Sequence, residues 1–287
     1  MTRAARQLEL TPAAVSAIVQ RAESTLQLRL FERTTRSLRL TREGEVLVEG
    51  CAETMRRWRQ ALDEARGDDA ALDGVLRVAA PTDTSALVVG PAIAAFCAAH
   101  PAVTVIAHAT DSLQDVLADA LDVTVRYGAL RDSTLVARRL AEAPRVLVAA
   151  PSYLASHGVP ASVDALREHR LLMLQLRNAP EHTWSLYLRG AALQPLTIDA
   201  SMCGDGLQVR RWAVDGHGVA FKSLFDVVDD LEAGRLVRVL PEVDGGVAAL
   251  HAVLPSRRFV PARVRRFVDL LAERFAERAA RCEASIG

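Results

Sequence analysis

The sequence predicts a mainly α-helical head and one long helix, followed by an α/β domain in two lobes. Three observations predict it: a capped amphipathic helix beside an arginine-laced segment within residues 1–45, a narrow apolar seam from Thr41 to Arg66, and strands alternating with helices from Gly74 onward.

Thr11 is a good helix N-cap and Pro12 suits the first helical position. Val15, Ile18, Val19, Ala22 and Leu26 recur at helical spacing, which predicts one buried face. The other face keeps Ser16, Ala17, Gln20 and Arg21, short or hydrogen-bonding side chains that let a helix approach base edges in a major groove. Thr2–Leu8 reads as a preceding short helix, with Glu9 and Leu10 as the turn. Two helices joined this way suggest a helix-turn-helix, although an ordinary helical pair from a core has the same pattern. A hairpin follows, anchored by Leu28, Leu30 and Phe31 and crowded with Arg33, Thr34, Thr35, Arg36 and Arg39. Guanidinium and hydroxyl groups are phosphate ligands, so the hairpin favours DNA binding over a solvated charged turn. Charge agrees: residues 1–45 hold eight arginines and five glutamates, whereas the whole chain balances 35 basic against 35 acidic residues.

Thr41 is a second cap, opening one helix to about Arg66. Leu47, Cys51, Met55, Trp58, Leu62 and Ala65 are spaced 4, 4, 3, 4 and 3 apart, close to a coiled-coil stripe, while Arg56, Arg57, Arg59, Asp63 and Glu64 keep the flanks wet. Such a seam wants a partner helix; packing onto its own domain is the alternative. Gly67, Asp68 and Asp69 then mark a hinge. The expected divisions are a head at 1–45, a linker helix and hinge at 46–73, and an α/β domain at 74–287.

Within that domain the sequence predicts strands at Val75–Ala80, Val103–Ala107 and Val123–Tyr127, with helices at Ser85–His100 and Ser112–Leu121. After Val146–Ala150 a second set begins: strands Leu171–Leu176, Leu196–Ser201, Gly218–Lys222 and Leu236–Leu240, with helices Ser162–His169, Leu207–Asp215 and Leu224–Ala233. Ala248–Leu254 crosses back, and Pro261–Arg281 is an amphipathic helix. Alternation of this kind demands crossover connections and a mostly parallel sheet. Lobe I is expected at 74–148 and 252–287, and lobe II at 149–251.

Other patterns narrow the function. Cys51, Cys97, Cys203 and Cys282 show no close pair or metal-ligand spacing, which predicts reduced thiols and no metal. No signal peptide opens the chain and no apolar run approaches eighteen residues, so a cytoplasmic protein with no membrane association is expected. There is no Gly-x-Ser-x-Gly elbow, His-Glu-x-x-His or P-loop, and the seven histidines are scattered, so no enzyme and no cofactor are expected. Gly216-His217-Gly218 follows a helix, which makes it a C-cap and not a dinucleotide loop.

Thr11 to Ser16, Arg33 to Arg36 and Leu40 to Gly44 make the chain resemble the LysR-type transcriptional regulators. That family's winged helix-turn-helix runs through Ser/Thr-Pro-Ala-Val-Ser, Arg-Thr-x-Arg and Leu-Thr-x-x-Gly. Residues 121–158 and the stretch LEAGRLVRVLPE followed by PSRR extend the resemblance to about 280 residues. It implies a linker helix that pairs subunits and a periplasmic-binding-protein-like effector domain with its ligand between two lobes. It also implies double-stranded DNA, a small-molecule effector and a homodimer or homotetramer, with RNA polymerase as a further partner. Ala17 stands where the family usually has a polar reader, Ala22 where it has leucine, and the helix that normally precedes Thr2 is absent. The expectation is that the gene starts upstream of Met1 or that the head is weakly folded. The rival reading is a cytosolic ligand-binding protein whose head no longer binds DNA.

Ligand groups belong at the carboxyl ends of strands and at helix N-termini, where amides and the helix dipole attract anions. Thr82, Thr84 and Ser85 follow the first strand, with Asp83 arguing against an anion there and a purely capping role for either threonine equally open. Arg126, Tyr127 and Gly128 end another strand, where Arg126 suits a carboxylate or an inter-lobe salt bridge. Cys203 and Asp205 precede a helix of the second lobe; a redox role for Cys203 lacks a second nearby cysteine. Lys222 is the only lysine in the chain, at a position where the resembling family more often has an apolar residue. Together these residues predict a small organic anion, an aromatic or aliphatic carboxylate, as effector.

Overall fold

Thr11 opens the first described helix, α1 (Pro12–Leu26), its hydroxyl accepting from the Ala14 amide at 3.2 Å. The structure, a computed structural model, describes residues 11–33, 38–66, 72–111, 121–128, 135–176, 179–180, 182–188, 190–199, 202–255 and 260–285. The expected helix at Thr2–Leu8, the hinge at Gly67–Asp69, most of the helix at Ser112–Leu121, and Thr34, Thr35 and Arg36 lie outside the described residues. Two compact units emerge, Met1–Ala65 and Arg66–Gly287.

The face that α1 buries differs from the expected stripe. Val15 is buried and Val19, Ala22 and Glu23 are half-buried, but Ile18 is 51% and Leu26 45% exposed. Glu23 supplies the reason. Its carboxylate accepts from the Leu30 and Phe31 amides at 2.8 and 3.1 Å, drawing the hairpin over one edge of the helix and leaving Ile18 on the other. In that hairpin β1 (Phe31–Arg33) pairs antiparallel with β2 (Leu38–Leu40). Thr41 then ties it to α2 (Arg42–Arg66): its hydroxyl donates to the Arg29 carbonyl at 2.6 Å and accepts from the Gly44 amide at 2.9 Å. A Cβ on Gly44 would lie 2.2 Å from the Leu30 carbonyl oxygen, so this close approach requires glycine. Along α2, Met55 and Trp58 of the predicted seam stay exposed, as do Val46 and Val48.

The second unit is built on one twisted sheet whose principal strands are β3 (Gly74–Ala80), β4 (Val103–Ala109), β5 (Val123–Tyr127), β6 (Val136–Ala149), β7 (Leu171–Leu176), β8 (Met202–Gly204), β9 (Val219–Ser223) and β10 (Val243–Leu254). They lie in the order β8, β7, β9, β6, β10, β5, β3, β4. The outer strands pair in parallel, as predicted; β6 and β10 run antiparallel through the middle and connect the two lobes. The sequence located only one end of each crossover. VARRLAEAPR at the start of β6 is polar and carries Pro144, which sits opposite Val247 beside a register shift in β10, where a residue without an amide proton is tolerated.

Several elements are shorter than predicted. Among the described residues Leu236–Leu240 pairs only at Val237–Arg238 and Leu196–Ser201, whose last two residues lie outside them, only at Leu196–Thr197; the expected helix at Ser162–His169 is a 3-10 turn, Asp164–Glu168. A helix not predicted, α4 (Pro151–His157), follows β6. Preceding it, the helical run α3 (Thr82–Ala99) contains a π turn at Ser85–Val89. By length and composition α3 could cross a bilayer, a match that counting consecutive apolar residues missed. Here it packs Val88, Val89, Ala92 and Phe96 into the core of lobe I.

That core also takes Val78 and Val125 from the strands and Phe267, Leu271 and Phe275 from the last helix, α7 (Ala262–Ala284). Lobe II surrounds Tyr153, Trp184 and Phe221 on one face of its sheet and Leu172, Val209 and Phe225 on the other. The final turns of α7, expected with lobe I, pack on lobe II through Cys282 and through Arg278, which donates to the Phe225 carbonyl at 2.6 Å.

Candidate ligand cleft and nucleic-acid interface

Between the lobes, the N-terminus of α3 meets β9 and two lobe II helices, α5 (Gly206–Val214) and α6 (Leu224–Glu232). Lys222, at the end of β9, forms an ion pair with Asp83 of α3; the two residues are 5% and 2% exposed. Lys222 also donates to the Gly206 carbonyl at 3.1 Å. Burying a charge is expensive unless it is paired, and this pair satisfies the lysine while leaving Asp83 Oδ1 without a donor among the described residues.

Two more carboxylates complete the cluster. Asp111, just beyond β4, accepts from the Thr82 amide at 3.1 Å, the Thr82 hydroxyl at 2.8 Å and the Gly206 amide at 2.7 Å. Thr82 Oγ1 in turn accepts from the Leu207 amide at 3.1 Å. Asp226, in the first turn of α6, is buried and among the described residues receives only long contacts of 3.5 Å, from the hydroxyls of Thr84 and Tyr127. Burial pushes its carboxyl up to about 7 against the pull of Lys222, and burial raises Asp83 in the same way. The Tyr127 hydroxyl is pushed well above its ordinary value by burial and by the Asp226 charge.

The sequence-derived ligand residues thus separate. Thr82, Thr84, Tyr127 and Lys222 meet in one cluster, and Ser85 lies one residue beyond Thr84 in α3. Asp205 is exposed and caps α5, accepting from the Gln208 amide at 2.8 Å. Cys203 lies on β8 against the lobe II core, where burial raises its thiol. Gly128 is exposed, with a left-handed φ of +88°. Arg126 sits with its cross-strand partner His251 on the face of β5 opposite Tyr127, and its buried Nε has no partner among the described residues. Asp111 and Asp226 were not singled out from the sequence. The usable signal was local: both occupy the strand-end and helix-start positions that identified the others.

In the head, Thr11, Pro12, Ala17, Gln20 and Arg21 are exposed along α1 and Ser16 is half-buried. Arg33 ends β1.

Residues 69–276 match the LysR substrate binding domain, and residues 1–45 match the bacterial regulatory helix-turn-helix protein of the lysR family. The chain belongs to the LysR family. Among relatives of this LysR-type regulator, the HTH-type transcriptional regulator DmlR of Escherichia coli is 32% identical over 95% of this chain and 89% of its own. The HTH-type transcriptional regulator PtxR of Pseudomonas aeruginosa is 33% identical over 95% and 87%. Among solved structures, CrgA, a LysR-type transcriptional regulator from Neisseria meningitidis, superposes with a TM-score of 0.65 at 28% identity, covering 96% of this chain and 93% of that one.

Proposed function

We propose that this LysR-type regulator binds double-stranded DNA through α1 and the hairpin, as a homodimer or homotetramer paired along α2, and works in the cytoplasm without covalent chemistry. Gln20, Arg21 and their exposed neighbours read base edges; Arg33 and the adjoining hairpin hold phosphate. RNA polymerase is a further partner on this reading. The exposed Met55 and Trp58 favour a partner helix on α2.

The observation that carries effector control is the Lys222–Asp83 pair, which fastens lobe II to lobe I. A ligand entering beside that pair changes the relation between lobes and so biases the spacing of the DNA heads. We infer that the effector is an organic anion, because the Thr82 and Gly206 donors already hold a carboxylate, that of Asp111. The test is a thermal-shift screen of aromatic and aliphatic carboxylates, then calorimetry and a gel shift with and without each hit. A carboxylate that shifts both melting and DNA retardation, and binds less tightly to Thr82→Val, supports the reading. Neutral or cationic hits alone would overturn the anion assignment, and a chain that binds ligand but never DNA would be a ligand-binding protein with an inactive head.

A further inference from the structure

We propose that Asp111 is a resident occupant of an inter-lobe carboxylate seat, so that effectors of this protein are carboxylates that must displace it. The proposal rests on the ligand-controlled reading above and adds what the ligand competes with.

The seat is defined by its donors. Asp111 Oδ1 accepts from the Thr82 amide at 3.1 Å, while Oδ2 accepts from the Thr82 hydroxyl at 2.8 Å and the Gly206 amide at 2.7 Å. Two donors belong to lobe I and one to lobe II, so the carboxylate itself bridges the lobes. Gly206 and Leu207 open α5, where amides have no partner inside the helix; one is taken by Asp111 and the other by Thr82 Oγ1. A carboxylate receiving three such bonds is recognised by both charge and shape.

The surroundings fix the seat and show that it is incomplete. A Cβ on Gly206 would lie 2.7 Å from Asp83 Oδ2 and 3.3 Å from Lys222 Nζ, so the ion pair forms the wall behind the Gly206 amide. Lys222 holds the Gly206 carbonyl at 3.1 Å and thereby orients the residue that donates to the seat. Beside it, Asp83 Oδ1 is buried with no donor among the described residues. A carboxylate ligand meets that oxygen only where it also carries a donor, such as a hydroxyl or ammonium group.

Asp111 is attached to lobe I by its loop, so occupancy from within keeps the lobes joined at no ligand concentration. An external carboxylate takes the same three donors but leaves Asp111 free, which changes what the two lobes share. Its affinity is reduced by the fraction of molecules in which Asp111 holds the seat.

Chemical rescue tests this on the full chain. Asp111→Ala empties the seat, and acetate is the probe, compared with chloride at equal ionic strength by thermal unfolding. The expected result is a saturable upward shift of a few degrees by acetate in Asp111→Ala, none beyond chloride in wild type, and none in Asp111→Ala combined with Thr82→Val. Equal acetate responses in wild type and Asp111→Ala overturn the proposal, as does a response that survives loss of the Thr82 hydroxyl. Asp111→Ser serves as the second variant, with the same expected rescue. Failure of both to fold also overturns it, because a seat that exchanges occupants must tolerate being vacated. Rescue by acetate in a chain that shows no DNA binding would leave the seat standing and remove the regulator reading.

Discussion

Lys222 and Asp83 form a buried ion pair across the two lobes, the lysine from the end of β9 and the carboxylate from the start of α3. Losing one partner leaves an uncompensated charge in a place with little water. Lys222→Met should therefore lower the stability of the full chain by about 3–5 kcal/mol in urea unfolding. Asp83→Asn added to it should recover part of that loss. A loss below about 1 kcal/mol would mean that the pair behaves like an exposed one.

The same cluster sets a pH dependence. Asp226 has a carboxyl raised from 3.8 to about 7, so between those values the folded chain keeps a proton that the unfolded chain has released. Its contribution is therefore most favourable below that window and is lost as pH rises through it. Asp83 shifts in the same direction. Melting temperatures of wild type and Asp226→Asn at pH 5 and pH 8 should show a smaller drop in the variant; equal drops would place the dependence elsewhere.

Two glycines of α2 should respond with opposite signs. Gly44→Ala drives a methyl into the Leu30 carbonyl at 2.2 Å and should cost about 1–3 kcal/mol and loosen the hairpin. Gly50 has nothing within 4 Å, and Gly50→Ala should gain up to about 1 kcal/mol of helix stability. Limited proteolysis and denaturant unfolding of the two variants check the pair; destabilisation by both would deny the tight approach at Gly44.

For DNA, Arg33→Ala combined with Arg36→Ala should weaken binding to all sequences and flatten the salt dependence, whereas Gln20→Ala should change sequence preference. Fluorescence anisotropy across a salt series separates the two. An unchanged slope in the double variant would remove the hairpin from the interface.

The elements whose signals are local were legible: Thr11 and Thr41 as caps, the β1–β2 hairpin, the parallel outer strands. What stayed hidden depended on partners distant in sequence. Ile18 looked buried because spacing cannot reveal that Glu23 pulls the hairpin to the other edge of α1. The first half of β6 looked unlike a strand because its polar residues pair with β10, more than a hundred residues away. In the cleft, strand-end logic found Thr82 and Lys222, yet sequence alone could not say that Lys222 is answered by Asp83 or that Asp111 fills the donors around Thr82. Arg126 and Tyr127 are neighbours in sequence and were grouped for that reason, although a strand turns successive side chains to opposite faces.

Selection of bound fragments from a random duplex pool by the full chain, followed by competition against unselected DNA, tests the central claim most directly. The account predicts enrichment of an interrupted palindrome with half-sites about one helical turn or more apart, bound at least about 1000-fold more tightly than unselected duplex. Enrichment of no sequence, with all fragments bound equally at every salt concentration, would contradict it.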